Sequence, residues 1–87
     1  MAYSVIIERA ALRVLKGLPL HLRTRIDMRL SALAENPRPQ GAEKLSGSDC
    51  SYRIRVGDYR VLYEIHDQVL RVLVIKIGHR REVYRTS

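Results

Sequence analysis

The apolar positions change period along the chain, from alternation at the start, to a helical spacing, and back to alternation over the second half. Tyr3 to Glu8 is short and β-branched, and helix-favouring Ala10-Ala11 bounds it, which predicts a first strand. From Arg9 to Lys16, residues Ala11, Leu12 and Leu15, continued by Leu18, fall on one helical stripe, and Gly17 stands where a left-handed residue would stop the helix. Pro19 suits the first turn of a second helix. There Leu22, Ile26, Leu30 and Leu33 recur at spacings of four, four and three, with Arg23, Arg25, Asp27 and Arg29 mostly on the other, solvated side. This helix should end near Asn36, just before Pro37.

Residues 37–49 contain two Pro and two Gly and read as a long connection, with Leu45 as its anchor into the core. Three strands follow, at Tyr52 to Val56, Tyr59 to His66 and about Val69 to Ile77, with turns at Gly57-Asp58 and Asp67-Gln68. A two-residue turn with Gly at its first central position sets Val56 against Tyr59, Arg55 against Arg60, Ile54 against Val61 and Arg53 against Leu62. A two-residue second turn would set Glu64 against Arg71, Leu62 against Leu73 and Arg60 against Ile75. One face of this meander is then apolar, from Tyr52, Ile54, Val56, Val61, Tyr63, Ile65, Leu70, Val72 and Val74. The other carries Arg53, Arg55, Arg60, Leu62, Glu64, Leu73, Ile75 and, by parity, His79. The pattern predicts an α+β fold: an N-terminal strand, a two-helix hairpin, then a three-stranded antiparallel meander, with the helices packed on its apolar face.

At 87 residues the chain has room for a single domain spanning 1–87 and one modest core. Its net charge of +7 and pI near 10.2 favour a polyanion or an acidic protein as partner. The single Cys50 excludes an internal disulfide and suggests a packed small residue in a reducing setting, with no metal cluster and no cofactor motif. The N-terminus lacks the pattern of an export signal, and no apolar run is long enough for a membrane span, so a cytoplasmic location is expected.

The charged face is where the chemistry concentrates. Like charges opposed across an antiparallel pair are destabilising, so Arg55 facing Arg60 favours a face that receives an anion. The segment Gly78-His79-Arg80-Arg81-Glu82-Val83-Tyr84 leaves the last strand at the same end, which would complete a patch of Arg53, Arg55, Arg60, His79, Arg80 and Tyr84. Metal-free RNA cleavage needs a proton taken from the 2′-hydroxyl, charge stabilised on a pentavalent phosphorane, and a proton given to the departing 5′-oxygen. Arginines suit the second task alone, because their planar fork matches phosphate and their pKa is too high to shuttle protons. His79 and Tyr84 are the candidates for the other two, and which of them is the base stays open.

The hairpin around Gly57-Asp58-Tyr59-Arg60, together with Ala10-Ala11-Leu12, Leu18-Pro19, Asn36-Pro37, Lys44-Leu45-Ser46-Gly47 and the terminal Gly78 to Tyr84 run, resembles the RelE/ParE superfamily of small bacterial toxins, most closely its RelE branch. The resemblance covers nearly the whole chain. It implies a type II toxin-antitoxin system, in which a ribosome-dependent mRNA endoribonuclease cuts mRNA in the ribosomal A site and is neutralised by a cognate antitoxin. Carried over by position, it implies Arg53, Arg55, Arg60, Arg80 and Tyr84 as working residues. Well-known members have lysines where this chain has Arg53 and Arg55, which shifts proton transfer toward His79 and Tyr84. The competing classes are a ParE-like inhibitor of DNA gyrase and a non-catalytic basic module that binds RNA or the ribosome.

Overall fold

The computed structural model describes residues 2–79, with element order β1 (Ser4–Ile7), α1 (Arg9–Gly17), α2 (Leu20–Glu35), β2 (Glu43–Lys44), β3 (Ser51–Val56), β4 (Tyr59–His66) and β5 (Arg71–His79). The strands form one five-stranded sheet in the order β1-β5-β4-β3-β2. Because β1 runs parallel to β5 while the other neighbours are antiparallel, the expected meander is one part of a mixed sheet. Both helices lie on one face, α1 over β5 and α2 against β1 and β3.

The helix ends differ in detail from expectation. Gly17 is the last helical residue, and the chain leaves α1 through Leu18, which is extended at φ −80° and ψ 153°. The ring of Pro19 excludes the helical region for the residue before it, so the proline, with no left-handed glycine, stops the helix. Pro19 itself caps α2, its carbonyl accepting from the amides of Leu22 and Arg23 at 3.0 and 2.9 Å.

The core follows the predicted stripes. Ala11 and Leu15 of α1, Ile26, Leu30 and Leu33 of α2, and Ile54, Val56, Val61, Tyr63, Ile65, Val72, Val74 and Ile77 of the sheet are all buried. Leu45 is half-buried outside this cluster; from the long connection, Ala42 packs against the core instead. The Tyr63 hydroxyl donates to the Pro37 carbonyl at 2.8 Å, and burial pushes its pKa up to about 12, so it stays a protonated donor at any physiological pH.

The β4–β5 register departs from expectation twice. The connection is a short 3-10 turn, Asp67–Val69, followed by Leu70 in the left-handed region at φ 51°, because Asp67-Gln68 lacks the glycine that a two-residue turn favours. Glu64 therefore faces Leu73, and His66 faces Arg71. Further along, Ile75 is an extra residue on β5: Tyr63 faces Val74 while Leu62 faces Lys76. Such a bulge reverses the parity of everything beyond it. Ile77 turns into the core, Lys76 turns out, Gly78 faces Arg60, and His79 faces Tyr59.

At the end of the sheet away from Gly57, one guanidinium ties four segments together. Arg38 donates to both oxygens of Asp67, at 3.2 and 2.8 Å, and to the Tyr52 hydroxyl at 3.1 Å, and the Tyr3 hydroxyl donates to Asp67 at 2.6 Å. The Arg38 hydrogen bond, then that of Tyr3, pulls the Asp67 pKa down from 3.8 to about 2. A carboxylate whose folded pKa is lowered adds stability that is complete above its unfolded pKa and is lost as pH falls through the folded one. The melting temperature of the parent should therefore fall as pH drops from about 3.8 toward about 2. Asp67→Asn should melt lower at neutral pH and lose less across that window; equal acid sensitivity in both would refute the assignment.

Candidate active site on the open sheet face

The face without helices is organised as rows running across the strands. Arg55, Arg60 and Gly78 form one row; Glu43, Arg53, Leu62 and Lys76 the next; Ser51, Glu64, Leu73 and Ile6 a third. The first two rows border a concavity of about 450 Å³, lined by Gly41, Glu43, Arg53, Arg55 and Arg60. Arg60 forms its floor at 7% exposure, Arg53 is half-buried and Arg55 is exposed. The hairpin turn fixes this arrangement. Gly57 has φ +60° and Asp58 is not in the left-handed region, as a turn with glycine in its first central position requires.

Helix α2 braces the hairpin from behind. Arg29 donates from Nη1 to the Arg55 carbonyl at 3.4 Å, and the Arg25 guanidinium lies over Gly57, where an added Cβ would meet Nη1 at 3.5 Å. The α2 arginines, expected to form a merely solvated face, include two that contact the hairpin.

The residue that sequence reasoning missed is Glu43. It sits on β2, a two-residue strand inside what reads as a long connection, and it pairs with Arg53. Its carboxylate forms an ion pair with Arg53 and is held below the usual carboxylate range, first by that hydrogen bond and the Arg53 charge, then by the charges of Arg60 and Arg55. All three arginines thus act on one anion. A lowered pKa makes Glu43 a weak base, and its carboxylate occupies the position that the three arginines address.

Of the six residues singled out from the sequence, the structure brings Arg53, Arg55 and Arg60 together. His79 is turned by the Ile75 bulge to face Tyr59, its ring edge-on at 5.8 Å and 78°, on the side of the sheet opposite Arg60. The parity that set it among the arginines assumed an unbroken ladder. Arg80 and Tyr84 lie outside the described residues. Lys76, which the same parity error hid, joins the cationic side.

The arrangement can clamp a phosphate and offset extra charge on it, because guanidiniums donate in fixed pairs and keep their charge at any working pH. For a single-stranded RNA oligonucleotide, Arg55→Ala should weaken binding and lower the slope of log affinity against log salt by about 0.7, read by fluorescence anisotropy over a salt series. Glu43→Gln should do the reverse, tightening binding by relieving competition for Arg53; unchanged affinity in both variants would remove the concavity as the anion site.

The family model for the ParE toxin of the type II toxin-antitoxin system matches residues 5–84. The mRNA interferase toxin RelE of Escherichia coli K12 is 33% identical over 97% of this chain and 92% of its own length. Among solved structures, RelE in the archaeal RelE-RelB complex of Pyrococcus horikoshii superposes with a TM-score of 0.83 at 29% identity, covering 92% of this chain and 97% of that one. The isolated RelE toxin of E. coli superposes with a TM-score of 0.80 at 26% identity, covering 99% of this chain and 100% of that one.

Proposed function

Because the chain belongs to the ParE/RelE family of type II toxins, and its RelE relatives align over nearly their whole length, we propose that it is a ribosome-dependent mRNA endoribonuclease that arrests translation. The observation that carries this reading is the convergence of Arg53, Arg55 and Arg60 on the single carboxylate of Glu43. A scissile phosphate entering the concavity displaces that carboxylate and meets three fixed cations.

In the proposed reaction the 2′-hydroxyl attacks the adjacent phosphorus in line. The phosphorane's added charge is taken up by Arg53, Arg55 and Arg60, a task the family resemblance also gives to Arg80. The 5′-oxygen leaves with a proton, producing a 2′,3′-cyclic phosphate and a 5′-hydroxyl. The guanidiniums supply the charge stabilisation that a divalent metal gives other nucleases, so the chemistry is written without one. They cannot move protons. With His79 turned to the opposite side of the sheet, Tyr84 is assigned that task.

In this reading the ribosomal A site holds the mRNA while this chain supplies charge. A cognate antitoxin is the second partner, as RelB is for RelE in the complex from P. horikoshii. Both partners act in the cytoplasm. The match to the ParE toxin family favours one competing reading, a toxin that poisons DNA gyrase by binding.

Primer extension on mRNA after a short induction separates the two. Cuts within translated codons are expected, with losses of about 10²- to 10³-fold for Arg55→Ala, the size of effect seen when one preorganised charge-stabilising donor is removed. Tyr84→Phe should lose cutting while leaving RNA affinity intact. Cleaved DNA-gyrase complexes alongside intact mRNA, under proven growth arrest, would overturn the proposal.

A further inference from the structure

At the end of the β3–β4 ladder away from Gly57, strand pairing assembles three different metal-ligating groups. The thiol of Cys50, a carboxylate oxygen of Glu64 and a ring nitrogen of His66 all lie within 4.8 Å of one another. Glu64 and His66 project from β4 two positions apart, with Nε2 2.9 Å from Oε1. Cys50 precedes β3 and is held there by its backbone. Its amide donates to Ser48 Oγ at 3.3 Å, Ser51 does the same at 3.2 Å, and its carbonyl accepts from the Ile65 amide at 2.8 Å. The three side chains are half-buried, and a concavity of about 410 Å³ that includes Cys50 and His66 opens beside them.

A surface ion pair explains why Glu64 and His66 touch. It does not explain a thiol within reach of both. Thiolate, imidazole and carboxylate together are the donor set of a borderline-soft ion, and hard cations such as Mg²⁺ or Ca²⁺ prefer oxygen alone. Tetrahedral zinc bonds of about 2.0–2.3 Å put ligand atoms about 3.3 to 3.8 Å apart, so the 2.9 Å Glu64–His66 contact has to open slightly and the wider separations, up to 4.8 Å, have to close, changes within reach of side-chain rotation. Three protein ligands leave the fourth position to water, which the adjoining concavity has room to admit.

We propose that Cys50, Glu64 and His66 form a zinc site that fastens the segment before β3 to strand β4. The site shares the open region of the sheet with the arginines but does not depend on any reading of what they do. Bound metal pins the end of the β3–β4 pairing that the hairpin turn does not hold, so occupancy stabilises the folded chain by mass action.

The test uses the full chain without an affinity tag, reduced and stripped of metal, titrated with Co²⁺ and then Zn²⁺. One equivalent of Co²⁺ should bind with the thiolate-to-cobalt charge-transfer absorption and the visible bands of a tetrahedral site, and one equivalent of Zn²⁺ should abolish both. Zn²⁺ should also raise the melting temperature. Cys50→Ser should remove the charge-transfer absorption. His66→Ala and Glu64→Gln should each weaken binding by more than the roughly 10- to 100-fold that loss of an outer-shell partner costs. His21→Ala, on the exposed face of α2, should leave it unchanged. Far-ultraviolet circular dichroism reports whether each variant folds, and the surface change His66→Ala carries the test if Cys50→Ser does not. Absence of stoichiometric binding, or binding that survives in the folded His66→Ala variant, would overturn the site.

Discussion

The two-residue turn at Gly57-Asp58 is the constraint on which the rest of this molecule hangs. A turn of that length allows one register between β3 and β4, and the register decides which side chains enter the core and which face outward. It places Ile54, Val56, Val61 and Tyr63 under the helices and, by the same pleat, Arg53, Arg55 and Arg60 on the open face. Arg55 then has to face Arg60, a repulsion that a folding criterion alone would remove. The core cannot be satisfied without creating the cationic cluster, and the cluster cannot be relaxed without breaking the core's register.

Glu43 makes this arrangement tolerable. Its carboxylate meets Arg53 directly and lies in the field of the other two arginines, so the site is never without a counter-charge. The same contact sets a threshold. An anion entering the concavity has to compete with a carboxylate already in place.

What could be read from the sequence follows the range of the interaction that fixes each element. The two helices and the β3–β4 hairpin are specified by neighbours a few residues away, and the Leu22, Ile26, Leu30 and Leu33 stripe and the Arg55 to Arg60 pairing are where the alternation puts them. β2 escaped because two residues carry no period, and its strand character exists only in its pairing with Tyr52 and Arg53. The Ile75 bulge escaped because a ladder that loses step leaves both of its halves alternating normally. That single extra residue moved Ile77 inward, brought out Lys76 and sent His79 to Tyr59, so the arginine half of the candidate site was legible and the histidine was not. The grouping of Cys50 with Glu64 and His66 is likewise invisible along the chain, since strand pairing alone joins them.

Strand order also dictates how this fold comes into being. β5 occupies an interior position, with β1 on one side and β4 on the other, although it is the last strand of the described chain to be made. Until it arrives, β1 has no neighbour in the sheet and α1 has no strand to lie on. The hairpin can form early from local contacts, but the layer that shields its apolar side closes through a pairing between the two ends of the sequence, the slowest kind of contact to find. A growing chain therefore carries the arginine hairpin before it has the pairing that closes its core. The sheet that presents the arginines is thus completed in one late step, when β5 joins β1 to β4.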